Sequence, residues 1–331
     1  MPKKIRVGLL FGGRSVEHEI SILSAKNVAQ AMDKKKYDVA FIKIDKQGAC
    51  FSKTEIFKSI QSVDVLFPIL HGTFGEDGTV QGLLKLANVP FVGASVLGSA
   101  VCMDKDIMKR VLRDAGIPIS NFMIVQDFEK DKTTFNDIQN KLGVPFFIKP
   151  ANSGSSVGIH KVKDKHQFEK ALKDAFQYDR KVLIEEYIQG REIECSVLGN
   201  EAPIASAPGE IIPQHEFYSY EAKYLDENGA LLKVPADLPE DTVKKIQEIA
   251  IRSYKALCCE GMARVDFFLR GEDELLVNEL NTLPGFTKIS MCPKMWEVSG
   301  ISYSQLIDKL IQLALDRFKK EKKLTTSYRR L

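Results

Sequence analysis

The segment after the N-terminus constrains the fold most. Residues 5–11 are apolar except for Arg6 and run straight into Gly12-Gly13. A near-continuous apolar run of strand length, closed by glycines, belongs in a parallel sheet covered on both faces. Ser15 then leads into a helical spacing of Ile20, Leu23, Val28, Ala31 and Met32, and further short apolar runs follow at 39–44, 63–70 and 89–92. Strands that alternate with helices imply right-handed crossovers and a doubly wound α/β sheet. Ligands of such sheets sit at the carboxyl ends of the strands. The turn after the first strand and His71-Gly72 both fall there.

From Met103 the texture changes. A charged helix over 104–115 ends at Gly116, with Pro118 beyond as a stop signal. Strand text follows at 146–149, 158–162 and 182–187. Alternation begins again at Ile193, Cys195 and Val197, ahead of a Pro/Gly-rich stretch over 203–235. A helix near 243–257 and strands at 263–269 and 274–280 complete the pattern. Ser302 and Gln305 form a capping box for a last helix carrying Leu306, Leu310, Leu313 and Leu315. No internal repeat is visible. A chain of 331 residues has room for two or three domains. The divisions fall at 1–102, 103–190 and 191–331, an α/β domain followed by two α+β domains.

Charge and cysteine usage exclude several function classes. The net charge is only +3, and residues 316–331 hold seven Lys/Arg against Asp316 and Glu321, so the body is slightly acidic. General electrostatic support for coating nucleic acid is missing. The six cysteines (Cys50, Cys102, Cys195, Cys258, Cys259, Cys292) form no C-x-x-C pair and no zinc-finger spacing. No apolar stretch reaches the roughly 18 residues of a membrane span, and the first apolar run is too short for a signal peptide. The expectation is a cytoplasmic protein with free thiols and no membrane association.

Two nucleotide-site searches fail. Gly12-Gly13-Arg14-Ser15 is not a G-x-G-x-x-G turn. The segment 93–99 has P-loop glycine spacing, but Ser99 stands where Lys is required. Other residues carry more. Arg264-Val265-Asp266 and Glu279-Leu280-Asn281 each place two polar groups on one strand face. If the two strands pair, hard oxygen donors and a guanidinium converge in one small volume, which suits Mg²⁺ with phosphates completing its shell. The competing reading is a solvated ladder of charges. The run from Lys149 through Gly154-Ser155-Ser156-Val157-Gly158 offers an ammonium, hydroxyls and backbone N–H groups, as a phosphate clamp does. An ordinary hairpin turn remains the alternative. Glu185-Glu186-Tyr187-Ile188, with Glu192 beyond, would offer a strand edge for adenine and a carboxylate for ribose. A solvated acidic strand end is the alternative there.

In order, Lys105, Lys149, the Gly154–Gly158 loop, residues 185–188, Arg264-x-Asp266 and Glu279-x-Asn281 resemble the ATP-grasp superfamily. Within it the chain resembles the D-alanine–D-alanine ligase family. That likeness rests on the segments 12–19, 70–78, Met103-Asp104-Lys105, Tyr220-Glu221-Ala222-Lys223-Tyr224 and 279–285. It covers nearly the whole chain except the basic tail from about Lys319. It implies an ATP-grasp fold whose last two domains enclose ATP, and ligation of two D-alanine molecules through a D-alanyl phosphate for peptidoglycan synthesis. The resemblance also implies roles. Lys105 and Lys149 would contact phosphates, with Ser155 and Ser156 in the loop above them. Glu185, Glu186, Tyr187, Ile188 and Glu192 would form the adenine and ribose pocket, lined by Phe268 and Asn278, and Lys223 would also face the nucleotide. Asp266, Glu279 and Asn281 would hold two Mg²⁺ (or Mn²⁺), with Glu279 bridging.

On the amino-acid side, Glu17 matches the carboxylate that holds the first ammonium, and His71 matches a histidine near that substrate's carboxylate. Arg264 and the Gly285 N–H match an oxyanion site. Ser290 and Met291 match the site of the second carboxylate. Ser155 and Tyr224 would join Glu17 in fastening a lid over 209–224. A homodimer is implied by the resemblance alone. Three rivals stand beside it. A D-alanine–D-lactate ligase is disfavoured by Glu221-Ala222-Lys223-Tyr224. A regulatory protein without catalysis is disfavoured by the intact Arg264, Asp266, Glu279 and Asn281. A nucleic-acid role would rest on the tail alone.

Overall fold

The computed structural model describes residues 3–47, 53–154, 157–213 and 230–325. The N-terminal strand forms as its composition demands. β1 (Ile5–Gly12) lies between β2 (Tyr37–Ile44) and β3 (Val65–Ile69), all parallel, in the order β2-β1-β3. α1 (His18–Ala31) crosses from β1 to β2, and α2 (Lys53–Gln61) leads to β3. Val7, Leu9 and Phe11 enter one core, while Leu10 joins Leu66 and Ile42 in a second core on the opposite face. The run expected as a strand at 89–92 does not become one. It makes a single parallel bridge, Leu66 to Phe91, because Pro90 has no N–H to extend the ladder.

After α3 (Thr79–Leu86) the chain enters α4 (Val96–Met103), capped by Ser95. The P-loop-like glycines are explained here by packing: a Cβ on Gly98 would stand 2.7 Å from the Cys258 carbonyl oxygen. Asp104 ends α4 and caps α5 (Lys105–Asp114), accepting from the N–H groups of Asp106 and Ile107 at 3.1 Å.

Two antiparallel sheets follow. In the first, β4 (Phe122–Gln126), β5 (Phe146–Pro150), β6 (His160–Val162) and β7 (Lys181–Glu186) take the order β4-β7-β5-β6. α6 (Phe135–Leu142) and α7 (Lys165–Ala175) supply Ile138, Phe168 and Leu172 to its core. The other sheet joins β8 (Arg191–Gly199), β9 (Ile204–Ala205), β10 (Gly209–Pro213), β11 (Ala230–Lys233), β12 (Gly261–Arg270) and β13 (Glu274–Asn281), with β8 and β13 flanking β12. Strands β9 to β11 lie in the stretch read from sequence as merely Pro/Gly-rich, and β4 was not visible in the pattern either. α8 (Glu240–Ala256) covers this sheet with Ile246, Ile249 and Tyr254. α9 (Met291–Val298) and α10 (Tyr303–Glu321) close the chain, and the Ser302/Gln305 capping box is present.

The core does not stop at residue 102. Leu306, Ile307, Leu310 and Ile311 of α10 share one core with β1 and β3, as does Trp296 of α9. Arg317 ties this helix down from a buried position. It donates to the carbonyls of Gly93 (2.7 Å) and Phe91 (2.8 Å), lies over the Phe91 ring, and pairs with Glu260 at 3.5 Å. Removing it leaves two buried carbonyls without that donor. Arg317→Met is therefore expected to lower the unfolding free energy by roughly 2–4 kcal/mol, read as a fall in the urea midpoint. Lys319→Met, at an exposed neighbour, should cost less than about 0.5 kcal/mol. Equal small shifts in both would show that the strut carries no stability.

Candidate active site

The pairing of β12 with β13 brings four polar groups together. Arg264 stands opposite Asn281 and Asp266 opposite Glu279. Val265 and Leu280, on the reverse phase, enter the core of the larger sheet. The register breaks after Asp266, so Phe267 faces Val277 and Asn278 is the extra residue of a bulge beside Glu279. The Arg264 fork is already engaged: Nε and Nη2 donate to the two Asp266 oxygens at 2.7 Å each. Asn281 Nδ2 donates to Asp266 as well, at 3.0 Å, and Glu194 Oε2 lies 3.1 Å from Arg264 Nε. Burial disfavours this charge, but Asp266 and Glu194 outweigh it and hold the guanidinium well above its usual range. Two carboxylates and an amide supply hard oxygens on adjacent strands, a donor set that fits Mg²⁺ or Mn²⁺. Among the described residues no group of three or more His, Cys, Asp or Glu is arranged for a metal, so phosphate oxygens and water would have to complete the shell.

The lysines approach from the smaller antiparallel sheet and α5. Lys105 Nζ lies 3.6 Å from Glu279 Oε2 and donates to the Ser153 carbonyl at 2.7 Å, which ties it to the start of the glycine-serine loop. Lys149, at the end of β5, is 2.5 Å from Glu185 Oε2 on β7. Burial lowers the Lys149 pKa, but Glu185, Glu279 and Glu192 together raise it. Glu185 is itself sealed in: it also meets Lys109 at 2.5 Å and accepts from the Ser120 hydroxyl. Burial alone would raise its pKa; Lys109 and Lys149 bring it far below the ordinary carboxylate value. The strand edge proposed for adenine therefore begins with a carboxylate already committed to two lysines.

Past it, Glu186 accepts from the Asn121 backbone and side chain, Tyr187 stacks near Phe147 with Lys161 over its ring at 4.2 Å, and Ile188 is buried. Gly190 brings this segment against β12, since a Cβ there would stand 2.5 Å from the Leu269 carbonyl oxygen. Glu192 on β8 is the partner of Phe268 on β12. Ser155, Ser156, Lys223 and Tyr224 lie outside the described residues.

The N-terminal domain closes the other end. Glu17 is buried at the head of α1, and a Cβ on Gly72 (φ +73°) would come within 3.1 Å of its Oε2. His71 Nδ1 donates to the Leu283 carbonyl at 3.1 Å, and its buried Nε2 has no hydrogen-bond partner among the described residues. Glu76 accepts from the N–H groups of Gly72 (2.8 Å) and Leu283 (3.2 Å). Burial, reinforced by the Glu17 charge, pushes its pKa up to about 8. Two residues beyond Leu283 is Gly285, where a Cβ would stand 3.1 Å from Ser290 Oγ. Ser290 precedes α9, and its hydroxyl accepts from the Thr287 N–H at 3.1 Å and shares a hydrogen bond with the Thr287 hydroxyl at 2.8 Å. The Met291 side chain turns into a small apolar cluster with Ile211 and Met295.

Four residues of this region had no assigned role in the sequence reading: Glu76, Lys109, Ser120 and Glu194. Lys109 left a signal. With Lys105, Met108 and Leu112 it occupies the buried stripe of α5, where an ammonium is out of place. Glu194 sits in a strand buried along nearly its whole length, which marks a carboxylate with a partner.

Comparison with known proteins agrees with this geometry. A family model described as D-ala D-ala ligase C-terminus matches residues 111–312, and one described as D-ala D-ala ligase N-terminus matches 6–61 and 51–94. A D-alanine–D-alanine ligase of Oceanobacillus iheyensis is 51% identical, with 98% of this chain and 99% of the relative covered. The solved D-alanine–D-alanine ligase of Coxiella burnetii is 42% identical with a TM-score of 0.85, covering 97% of this chain and 96% of that one. The Bacillus anthracis ligase, solved in complex with ATP, is 32% identical with a TM-score of 0.82, covering 96% and 99%. Two family models that between them span most of the chain, and relatives of this identity, leave one conclusion: the chain belongs to the D-alanine–D-alanine ligase family.

Proposed function

We propose that this ligase joins two D-alanine molecules in two steps at the cleft between its antiparallel sheets and the N-terminal domain. In the first step a carboxylate oxygen of one D-alanine attacks the γ-phosphorus of ATP, and ADP leaves. In the second, the amine of another D-alanine attacks the acyl carbon, loses a proton, and inorganic phosphate departs as the peptide bond forms. The observation that carries this reading is the convergence of Lys105, Lys149, Arg264, Asp266, Glu279 and Asn281 from separate elements.

Lys105 and Lys149 would steady the phosphates, together with Ser155 and Ser156. Glu186, Tyr187, Ile188, Glu192, Phe268 and Asn278 would hold adenosine, with Glu185 behind Lys149. Asp266, Glu279 and Asn281 would hold one or two Mg²⁺ or Mn²⁺, which supply charge neutralisation for phosphoryl transfer when bound. Glu17 would take the first ammonium. The His71 Nε2, which has no hydrogen-bond partner among the described residues, would be a contact for the first substrate's carboxylate. Arg264 and the Gly285 N–H would face the oxyanion of the second step, where losing one donor typically costs about 10²–10³ in rate. Ser290 and the backbone at Met291 would receive the second carboxylate, under a segment ending at Tyr224. The same reading makes the protein a cytoplasmic homodimer.

Phosphate release with ATP and Mg²⁺ is the direct test. D-alanine should support it and L-alanine should not; release with neither, or equally with both, overturns the reading. Among variants, Glu279→Gln should abolish turnover more completely than Asn281→Ala, because Glu279 supplies charge and would bridge two ions whereas Asn281 supplies one neutral oxygen. Comparable residual rates would remove the bridging role. Arg264→Lys should fall below about a tenth of wild-type kcat, nearly as far as Arg264→Ala, since an ammonium cannot reproduce the two-point fork. A well-preserved Lys variant would refute a geometric role for the guanidinium.

A further inference from the structure

Behind the phosphate-facing lysine stands a cluster with more positive charge than its carboxylate needs. Glu185 is nearly inaccessible, its side chain 2% exposed. Its Oε2 is 2.5 Å from Lys149 and its Oε1 is 2.5 Å from Lys109. Lys109 also donates to Ser120 Oγ at 3.0 Å, and the Ser120 hydroxyl donates on to Glu185. Of the three ionisable groups, Lys109 is 1% exposed and Lys149 is 11% exposed, so the member nearest solvent is a lysine; burial lowers the Lys109 pKa, and the Glu185 and Glu279 carboxylates oppose that. A Lys149–Glu185 pair alone would already be neutral, and burying a second ammonium is costly. Lys109 lies beside the apolar Met108 and Leu112 on α5, where Lys105 and Asp106 are also buried.

We propose that Lys109 is a positioning residue of the nucleotide site: it takes up the charge of Glu185 so that Lys149 presents an uncancelled positive charge to the phosphates of the nucleotide. This rests on the ATP-site reading of Lys149. One carboxylate is shared between two ammonium groups, each on its own oxygen, and the unit charge left over is expressed at the more exposed end. Glu185 thereby fixes the Lys149 ammonium in place without neutralising it. Without Lys109, Lys149 would be held as firmly but would offer the phosphates a neutral pair.

Full-length wild type, Lys109→Met, Glu185→Gln and the double variant form a ladder of cluster charge: +1, 0, +2 and +1. The affinities of ADP and of adenosine, each measured by calorimetry with Mg²⁺, give a ratio in which any damage to the adenine pocket cancels. That ratio should fall at least about tenfold in Lys109→Met, rise in Glu185→Gln, and return to within about threefold of wild type in the double variant. A merely structural Lys109 would instead weaken ADP and adenosine alike. A ratio that does not follow the cluster charge overturns the proposal. Should Lys109→Met fail to fold, Glu185→Gln against wild type decides, and an unchanged or lowered ratio there refutes it. Failure of the underlying site reading looks different: wild type would bind neither ADP nor ATP, which overturns both.

Discussion

Everything the site can do depends on the register between β12 and β13. A slip of one residue would turn Arg264 and Asp266, or Glu279 and Asn281, into the core and push Val265 or Leu280 outward. Three features prevent that slip. The reverse faces of both strands are packed with Val265, Phe267, Leu269, Leu275, Val277 and Leu280. β8 pins the other edge of β12, with Glu194 opposite Asp266 and Glu192 opposite Phe268. The bulge then adds one residue just before Glu279, which allows an apolar strand to end in a polar one without breaking the pairing.

The loop after β3 is tied to that sheet through the backbone of Leu283, beside a core that Leu198 and Met262 share with β1 and β3. The Leu283 carbonyl accepts from His71 and its N–H donates to Glu76, while its side chain enters the core shared by β1, β3 and α10. Loop 71–76 and loop 282–285 are thus held to each other, and Glu17 lies beside Gly72 on the same loop. A shift of loop 71–76 would have to move loop 282–285 with it. The glycine at 75 tightens the arrangement, since a Cβ there would stand 2.4 Å from the Leu70 carbonyl oxygen.

Legibility in the sequence followed burial and period. The apolar run of β1, the strand at β12 and the capping box of α10 are local statements, and each came out as read; the alternation read at Ile193, Cys195 and Val197 did become a strand, β8, but one buried along nearly its whole length. The facing pairs Arg264/Asn281 and Asp266/Glu279 were legible because two residues on each strand share a face, so only the pairing itself had to be supplied by the fold. The run at 89–92 misled because apolarity cannot reveal that Pro90 breaks a ladder. Glu185 was read as a ligand-facing strand end because sequence does not tell whether an acid is answered from another element. Its partners come from α5, β5 and the turn at Ser120, which lie 76, 36 and 65 residues away. Lys109 showed only as a charge on an apolar helix stripe, and its role is intelligible only beside the carboxylate that holds it.

The charged face of the sheet is closed upon itself. Asp266 gives both oxygens to the Arg264 fork and one of them also to the Asn281 amide, while Glu194 supports the guanidinium from β8 and Lys105 stands near Glu279. Each of these charges has a partner of opposite sign close by, which offsets the cost of taking it out of water. That closure has a consequence for binding. A cation placed at Asp266 would meet oxygens that already accept from Arg264 and Asn281, one at Glu279 would find Lys105 nearby, and an anion placed at Lys149 would meet an ammonium already seated on Glu185. On the proposed function, ligand binding here would be an exchange of partners between two satisfied states, so affinity at this face would be a difference between strong terms. Side chains that touch no ligand, Glu194 behind Arg264 and Lys109 behind Glu185, would then weigh on binding together with the groups that do.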